Sequence, residues 1–332
     1  MDDRSRQVFL TRVLPELAER FGLATGSLAP IQDHRNFVYR SPAPTGEVIF
    51  KVLPSAESRH ALLLGELDWM AHLHAGGVAV PRPCRSLNAN LVESQAADEW
   101  HFSAYCLERI EGRLWQDCTN GHELIGPVGR LAGRMHRVSV GYSPAAAGAE
   151  LSTWSDMPWF KSPADPIHSS MPRVIVRSIE LSEALERLPA VDNGPVHDDL
   201  HGGNVLVSAD GPVAIDFECA HYAPLASEIA SALFFSVWKT PDSQPRDCAQ
   251  RAAAFLDAFM EGYHQEHVLN RGWVDALPLL LKARELSMLA TSPCATEDFA
   301  SVGRHDRKFA WMKSNFEHDV PFVELDFSRW AT

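Results

Sequence analysis

The run His197-Asp198-Asp199-Leu200-His201-Gly202-Gly203-Asn204, with Val213-Ala214-Ile215-Asp216-Phe217-Glu218 just after it, constrains this chain more than any other stretch. Asn204 leads into the apolar Val205-Leu206-Val207, Asp210-Gly211 is a strong turn signal, and Val213-Ala214-Ile215 returns to Asp216. Asn204 and Asp216 are equally far from Asp210, so a hairpin centred there sets them roughly opposite each other at its open end. Asp199 falls just before, in a loop. An amide oxygen and a carboxylate that converge in this way suit a hard cation such as Mg²⁺, which takes oxygen ligands and keeps several waters. A further carboxylate nearby can accept a proton from a hydroxyl nucleophile. Metal plus base is the equipment of phosphoryl transfer.

Such a site needs a scaffold, and the chain of 332 residues is long enough for two lobes. Residues 5–21 read as an amphipathic helix with Val8, Phe9, Val13, Leu14 and Leu17 apolar. Phe37-Val38-Tyr39 reads as a strand, and Val48 to Leu53 as a strand covered on both faces. A helix from about Ala56 to His74 stops at Gly76-Gly77, and Phe102 to Leu107 reads as a further strand. Glu111-Gly112 marks a junction, beyond which the pattern turns helical. Leu124, Val128, Leu131, Met135 and Val138 recur at spacings of four and three, with Pro127 in the first turn. Residues 141–172 read as a loop rich in Pro, Ser and Trp, and 174–188, 247–264 and 275–290 as helices. The expected organisation is a nucleotide-binding lobe over residues 1–110 and a helical lobe with the acceptor site over 111–332.

Composition narrows the class of partner. The formal charge of −13 argues against nucleic acid and fits a cationic substrate, although acidic surfaces are common. No apolar stretch approaches a membrane span, and Met1-Asp2-Asp3-Arg4 lacks the apolar core of a signal peptide. The cysteines at 84, 106, 118, 219, 248 and 294 form no Cys-x-x-Cys pair, which disfavours a zinc site and points to reduced thiols in the cytoplasm.

Two charges sit where apolar residues belong. Lys51 shares a strand face with Ile49 and Leu53. Glu66 lies in a helical stripe with Leu63, Met70 and Leu73. Each alone reads as a side chain snorkelling to the surface or flanking its stripe. Opposite charges in adjacent elements invite pairing, and a Lys held by a Glu beside a strand is how protein kinases contact the α- and β-phosphates of ATP. His197 and His201 read as braces of their loop. The segment Trp154-Ser155-Asp156-Met157-Pro158-Trp159-Phe160 reads as packing, or as a wall for a cationic ligand.

With these residues in view the chain resembles the aminoglycoside phosphotransferase-like kinases, relatives of protein kinases that include choline, homoserine and antibiotic kinases. The resemblance covers most of residues 30–235, and its most specific part is His197 to Asn204 followed by Ile215-Asp216-Phe217. It implies an α+β, two-lobed protein-kinase-like fold, with a small antiparallel-sheet lobe and a larger helical lobe. By the resemblance Asp199 is the catalytic base or orients the hydroxyl, and Asn204 and Asp216 hold Mg²⁺. Lys51 binds the phosphates of ATP, with GTP left open, and Glu66 positions it. Leu107-Glu108-Arg109-Ile110 looks like the hinge, so backbone groups at Glu108 and Ile110 would meet adenine. Asp198 stands where the family often has Gly, a second acid that would perturb Asp199. Glu228 is expected to brace the catalytic loop. No Gly-x-Gly-x-x-Gly precedes Lys51, so residues 31–39 must cover the phosphates differently. The leading expectation is a kinase that phosphorylates a hydroxyl of a small polar, cationic molecule. The alternatives are a Ser/Thr protein kinase of the same fold and a pseudokinase without turnover.

Overall fold

In the computed structural model the apolar run around Lys51 becomes a 10-residue strand at the centre of an antiparallel sheet. The structure describes residues 3–33, 36–44, 46–55, 59–97, 100–157, 160, 171–188, 192–238, 249–291 and 304–331. The chain divides into two compact units. The first is Met1–Asp117 with Val138–Leu151 and Val205–Glu218, and the second is Cys118–Arg137 with Ser152–Asn204 and Cys219–Thr332.

The first unit is built on β1 (Ala29–Asp33), β2 (Phe37–Ala43), β3 (Gly46–Ser55), β4 (Pro83–Cys84), β5 (Glu93–Ala97) and β6 (Trp100–Glu108). Their order is β1-β2-β3-β6-β4, with β5 also on β6. On one face Val48, Phe50, Val52, Phe37 and Phe102 are buried against Phe9, Val13, Leu14 and Leu17. Those partners come from a π turn (Phe9–Val13) and α2 (Leu14–Arg20), which continue α1 (Asp3–Val8). The widened turn falls where Pro15 has no N–H to close onto Thr11. The other face of β3 is less covered than its apolar run suggests. Leu53 is buried, while Ile49 and Lys51 are only half-buried.

Helix α3 (His60–Ala75) stops at Gly76-Gly77 as expected, and Gly77 takes a φ of +75°. Its stripe of Leu63, Met70 and Leu73 is buried, with Glu66 among them. Asp68 on the same helix accepts from Tyr142 Oη and from the N–H groups of Ala145 and Ala146, which fastens that segment to α3. Short β7 (Arg113–Leu114) completes a second sheet in this unit. After β8 (Asn193–Val196), which belongs to the second unit, the chain enters the hairpin of β9 (Val205–Ser208) and β10 (Gly211–Ala214), and β7 pairs with β9. Ser208 pairs with Gly211, so the hairpin loop is Ala209-Asp210. Its centre lies half a residue before Asp210, and Asn204 and Asp216 are one residue out of the symmetric register that the sequence suggested.

The second unit is mainly helical. Strand β11 (His221–Pro224) pairs with β8. The unit's main helices among the described residues are α4 (Ile125–Ser139, its last residues in the first unit), α5 (Pro172–Glu186), α6 (Ala226–Trp238), α7 (Ala249–Tyr263), α8 (Trp273–Thr291) and α9 (Arg304–Glu317). Helices α4 and α7 approach to backbone contact. A Cβ at Gly129 would lie 2.0 Å from Phe259 O, and one at Gly262 1.9 Å from Gly126 O. The described part of the 141–172 stretch is mostly irregular, with a short turn at Trp154–Asp156, a helical Phe160 and the first residue of α5 at Pro172. Pro158 and Trp159 of the Trp-rich segment lie outside the described residues. Among the described residues no helix is long and apolar enough to cross a membrane.

One surface feature of this unit yields a stability test. Arg130, Arg134 and Arg137 on α4 converge on Glu266 at 2.9, 2.7 and 2.9 Å. The hydrogen bond from Arg134 leads the causes that bring its carboxyl down to about 2; burial works the other way, and Arg130 and Arg137 assist. Undamped, that shift corresponds to about 3 kcal/mol. Screening of the part-exposed arginines reduces the expected share to about 1–2 kcal/mol. A depressed folded pKa stabilises above the unfolded value, and that share is lost as pH falls through the folded one. Glu266→Gln should therefore be about 1–2 kcal/mol less stable than the parent at pH 7 by urea unfolding, a gap that closes between pH 4.5 and 2. A gap independent of pH would refute the clamp.

Candidate active site

In the first unit Lys51 is the centre of a charge cluster. Its Nζ donates to Asp216 Oδ1 at 2.8 Å and to Glu218 Oε1 at 3.3 Å. The ring of Tyr105, its neighbour across β6, lies 5.9 Å away. Burial disfavours the ammonium, but Tyr105, Asp216 and Glu218 outweigh it and hold its pKa above the ordinary lysine value. Asn36, from the segment between β1 and β2, donates to the same Glu218 oxygen at 2.8 Å. Glu218 is two residues beyond Asp216, so the two carboxylates can face one way while Phe217 turns aside. Phe217 is buried edge-on against Trp69 of α3, at 5.3 Å between ring centres.

Glu66 lies beside this cluster, within reach of the Lys51 charge. Lys51 hydrogen-bonds to Asp216 and Glu218 rather than to Glu66. Burial pushes the Glu66 carboxyl up to about 8, against the opposing charges of Arg59 and Lys51. It neighbours Lys51 as a buried acid. At the end of β6 the Glu108 N–H donates to Arg82 O at 2.9 Å, and Arg109 N–H to Glu47 O at 2.9 Å. Ile110 follows the end of the strand.

In the second unit Asp199 is held at both oxygens. Asn204 Nδ2 donates to Oδ2 at 2.6 Å and to the Asp199 carbonyl at 3.0 Å. Arg284 Nη2 donates to Oδ1 at 2.6 Å. His201 Nδ1 accepts from Gly203 N–H at 2.9 Å, which leaves the proton on Nε2, 3.5 Å from Asp199 Oδ2. His197 Nδ1 accepts from Asp199 N–H at 3.3 Å. Both histidines therefore brace the loop. Burial would raise the Asp199 carboxyl, but the His201 hydrogen bond and the Arg284 charge prevail and hold it below the ordinary carboxylate range.

The two adjacent carboxylates repel each other: the Asp198 carboxyl is raised, by burial first and with the Asp199 charge adding to it, while His221 and Arg284 oppose. The backbone gives the reason for the residue. Asp198 has φ +53°, the left-handed region that suits Gly and that Asp and Asn tolerate. Its N–H donates to Glu228 Oε2 at 3.2 Å, as does the His197 N–H at 2.6 Å. Ser231 Oγ donates to its carbonyl at 2.7 Å. Asp198→Gly is expected to keep the folded loop and the parent thermal midpoint, whereas Asp198→Val should cost about 1–2 kcal/mol in strain. Equal stability of the two variants would show that this conformation is not required.

A model of the phosphotransferase enzyme family, APH, matches residues 27–277. The chain belongs to that family. Amicoumacin kinase of Bacillus subtilis (strain 168) is 27% identical over 327 residues, 96% of this chain and 95% of the relative. Homoserine kinase of Nitrobacter winogradskyi is 28% identical over 235 residues, 68% of this chain and 66% of the relative. A solved structure of the amicoumacin kinase hAmiN in complex with AMP-PNP, Ca²⁺ and Ami superposes with a TM-score of 0.83 at 22% identity, covering 99% of both chains. The fold is thus the protein-kinase-like fold that the resemblance implied, with an antiparallel-sheet lobe and a helical lobe, and the chain is a kinase.

Three side chains of this kinase's clusters escaped the sequence reading. Glu218 carried a signal in its i+2 spacing from Asp216. Arg284 carried one too, because it follows Leu277, Leu280 and Leu281 on one helical stripe. Asn36 carried none, being a polar residue in a polar segment.

Proposed function

We propose that this kinase transfers the γ-phosphoryl group of ATP to a hydroxyl of a small, polar, cationic molecule. The observation that carries the reading is Asp199, a carboxylate held at both oxygens in the loop from His197 to Asn204. The acceptor hydroxyl oxygen forms a bond to the γ-phosphorus. The bond from that phosphorus to the bridging oxygen breaks, and ADP leaves with the electron pair. The hydroxyl proton passes to Asp199 and then to solvent.

Carboxylate and amide oxygens are donors of the kind that Mg²⁺ takes. Among the described residues no three His, Cys, Asp or Glu side chains are grouped to hold a metal by themselves. Mg²⁺ does not need such a cage, since one or two carboxylates, phosphate oxygens and water complete its shell. Asp216 offers a carboxylate, and Asn204 spends its Nδ2 on Asp199, which frees Oδ1 as a ligand. When bound, the ion neutralises the charge that develops on the phosphates. Lys51 meets the α- and β-phosphates in our assignment, with the buried Glu66 as its neighbour on α3. The Glu108 N–H is already used by Arg82 O, so adenine is read by the Glu108 carbonyl and the Ile110 N–H.

The choice of acceptor is supported by similarity to amicoumacin kinase over nearly the whole chain and by the net charge of −13. A screen with labelled ATP over amicoumacin, homoserine, amino sugars, amino alcohols and a protein extract tests it. Label in a cationic small molecule is the expected result. Label confined to protein, or nucleotide binding with no product, would overturn the proposal.

A further inference from the structure

Helix α8 brings a guanidinium to the loop that carries Asp199. Arg284 Nη2 donates to Asp199 Oδ1 at 2.6 Å, and Nη1 donates to Asp198 O at 3.1 Å. The side chain is 10% exposed, and its guanidinium carbon lies 4.7 Å from the centre of the Phe235 ring on α6. One rigid fork therefore spans the carboxylate and the main chain next to it. Asn204 and His201 engage the opposite oxygen.

Stability alone does not account for an arginine at this position. The cost of desolvating a buried ion pair is comparable to the attraction it returns, and an apolar side chain of similar size on Phe235 would hold α8 as well. An apolar side chain cannot, however, fix the rotation of a carboxylate. Asn204 and His201 both act at Oδ2, and a carboxylate gripped at one oxygen still turns about its Cβ–Cγ bond. The bond to Oδ1 removes that freedom, and the bond to Asp198 O ties the fork to the segment that Glu228 and Ser231 already pin. Oδ1 keeps a lone-pair site for an incoming hydroxyl, whereas Asn204 and His201 occupy those of Oδ2. A misplacement of about 1 Å at a reacting group costs on the order of 10²-fold in rate.

We propose that Arg284 is a positioning residue for phosphoryl transfer, fixing the orientation of the Asp199 carboxylate against the acceptor hydroxyl. The proposal rests on the role assigned to Asp199 above. It adds that the second grip comes from α8, so substitutions on that helix reach the reaction without touching substrate.

A double-mutant cycle on the full chain, with ATP and the best acceptor from the screen, tests the proposal. Arg284→Met and Arg284→Lys are each made alone and with Asp199→Asn. Arg284→Met should lower kcat by about 10²-fold and leave both KM values within a few-fold. Arg284→Lys should recover part of the loss, because it keeps the charge and one bond but not the fork. In single turnover with Asp199→Asn, Arg284→Met should change the residual rate by less than about 3-fold, since its effect runs through the carboxylate. The same loss in both backgrounds, or a loss confined to KM, would overturn the proposal. If Arg284→Met fails to fold, Arg284→Lys carries the same cycle. A parental kcat in Asp199→Asn alone would instead sink the role of Asp199, which separates the two failures.

Discussion

Asp199→Ala should reduce turnover by about 10²–10⁴-fold while nucleotide binding persists, the range expected when a general base or hydroxyl-orienting group is removed. The two effects separate because Lys51 and Asp216 belong to the other compact unit, and Asn204 keeps its backbone bond to His201 when Asp199 is replaced. The same substitution strips Arg284 of its carboxylate partner. An uncompensated buried charge costs on the order of 3 kcal/mol, so the alanine variant should also lose thermal stability. Asp199→Asn keeps an oxygen for Arg284 but presents an amide N–H₂ or a misplaced oxygen toward Asn204 Nδ2. It should lose turnover comparably and stability less. Rapid-quench measurement of kcat, with titration of a nucleotide analogue and a thermal melt, checks all three. Unchanged kcat in both variants would remove Asp199 from the mechanism.

How far the site was legible in the sequence follows from how far apart its parts lie. The stretch from His197 to Glu218 concentrates carboxylates, an amide and histidines in one segment, and turn chemistry at Asp210-Gly211 ordered it. Lys51 stood out because a lone charge in an apolar strand has few explanations. Its partner was not legible. The sequence offered Glu66 as a misplaced charge of opposite sign, but pairing depends on how distant elements pack, and Asp216 and Glu218 answer Lys51 instead. Arg284 is the same kind of signal, a charge in an apolar stripe, yet no local pattern connects it to Asp199. The hairpin register missed by half a residue because Asp-Gly marks a turn without saying whether Gly211 lies in the loop or begins the returning strand. Asp198 read as an electrostatic oddity because a positive φ leaves no mark in the sequence of a non-glycine residue.

Asp216→Ala should weaken Mg²⁺-dependent nucleotide binding by about 10²-fold, the loss of one carboxylate ligand to a divalent ion and of one partner to Lys51. Two consequences of the geometry must be kept apart. Asp216 has φ +66°, a conformation that alanine adopts only with strain. Asp216→Asn removes the charge and tolerates that backbone, so it isolates the electrostatic part. If the ligand role is correct, both variants lose affinity for nucleotide with Mg²⁺ and differ little from the parent when the metal is chelated. If Asp216 serves only to shape the turn, Asp216→Asn binds like the parent and Asp216→Ala does not. Lys51 would still be held by Glu218 in either variant, so its ammonium remains in place and the comparison reads the metal. Calorimetric titration of a non-hydrolysable ATP analogue, with and without Mg²⁺, distinguishes these outcomes.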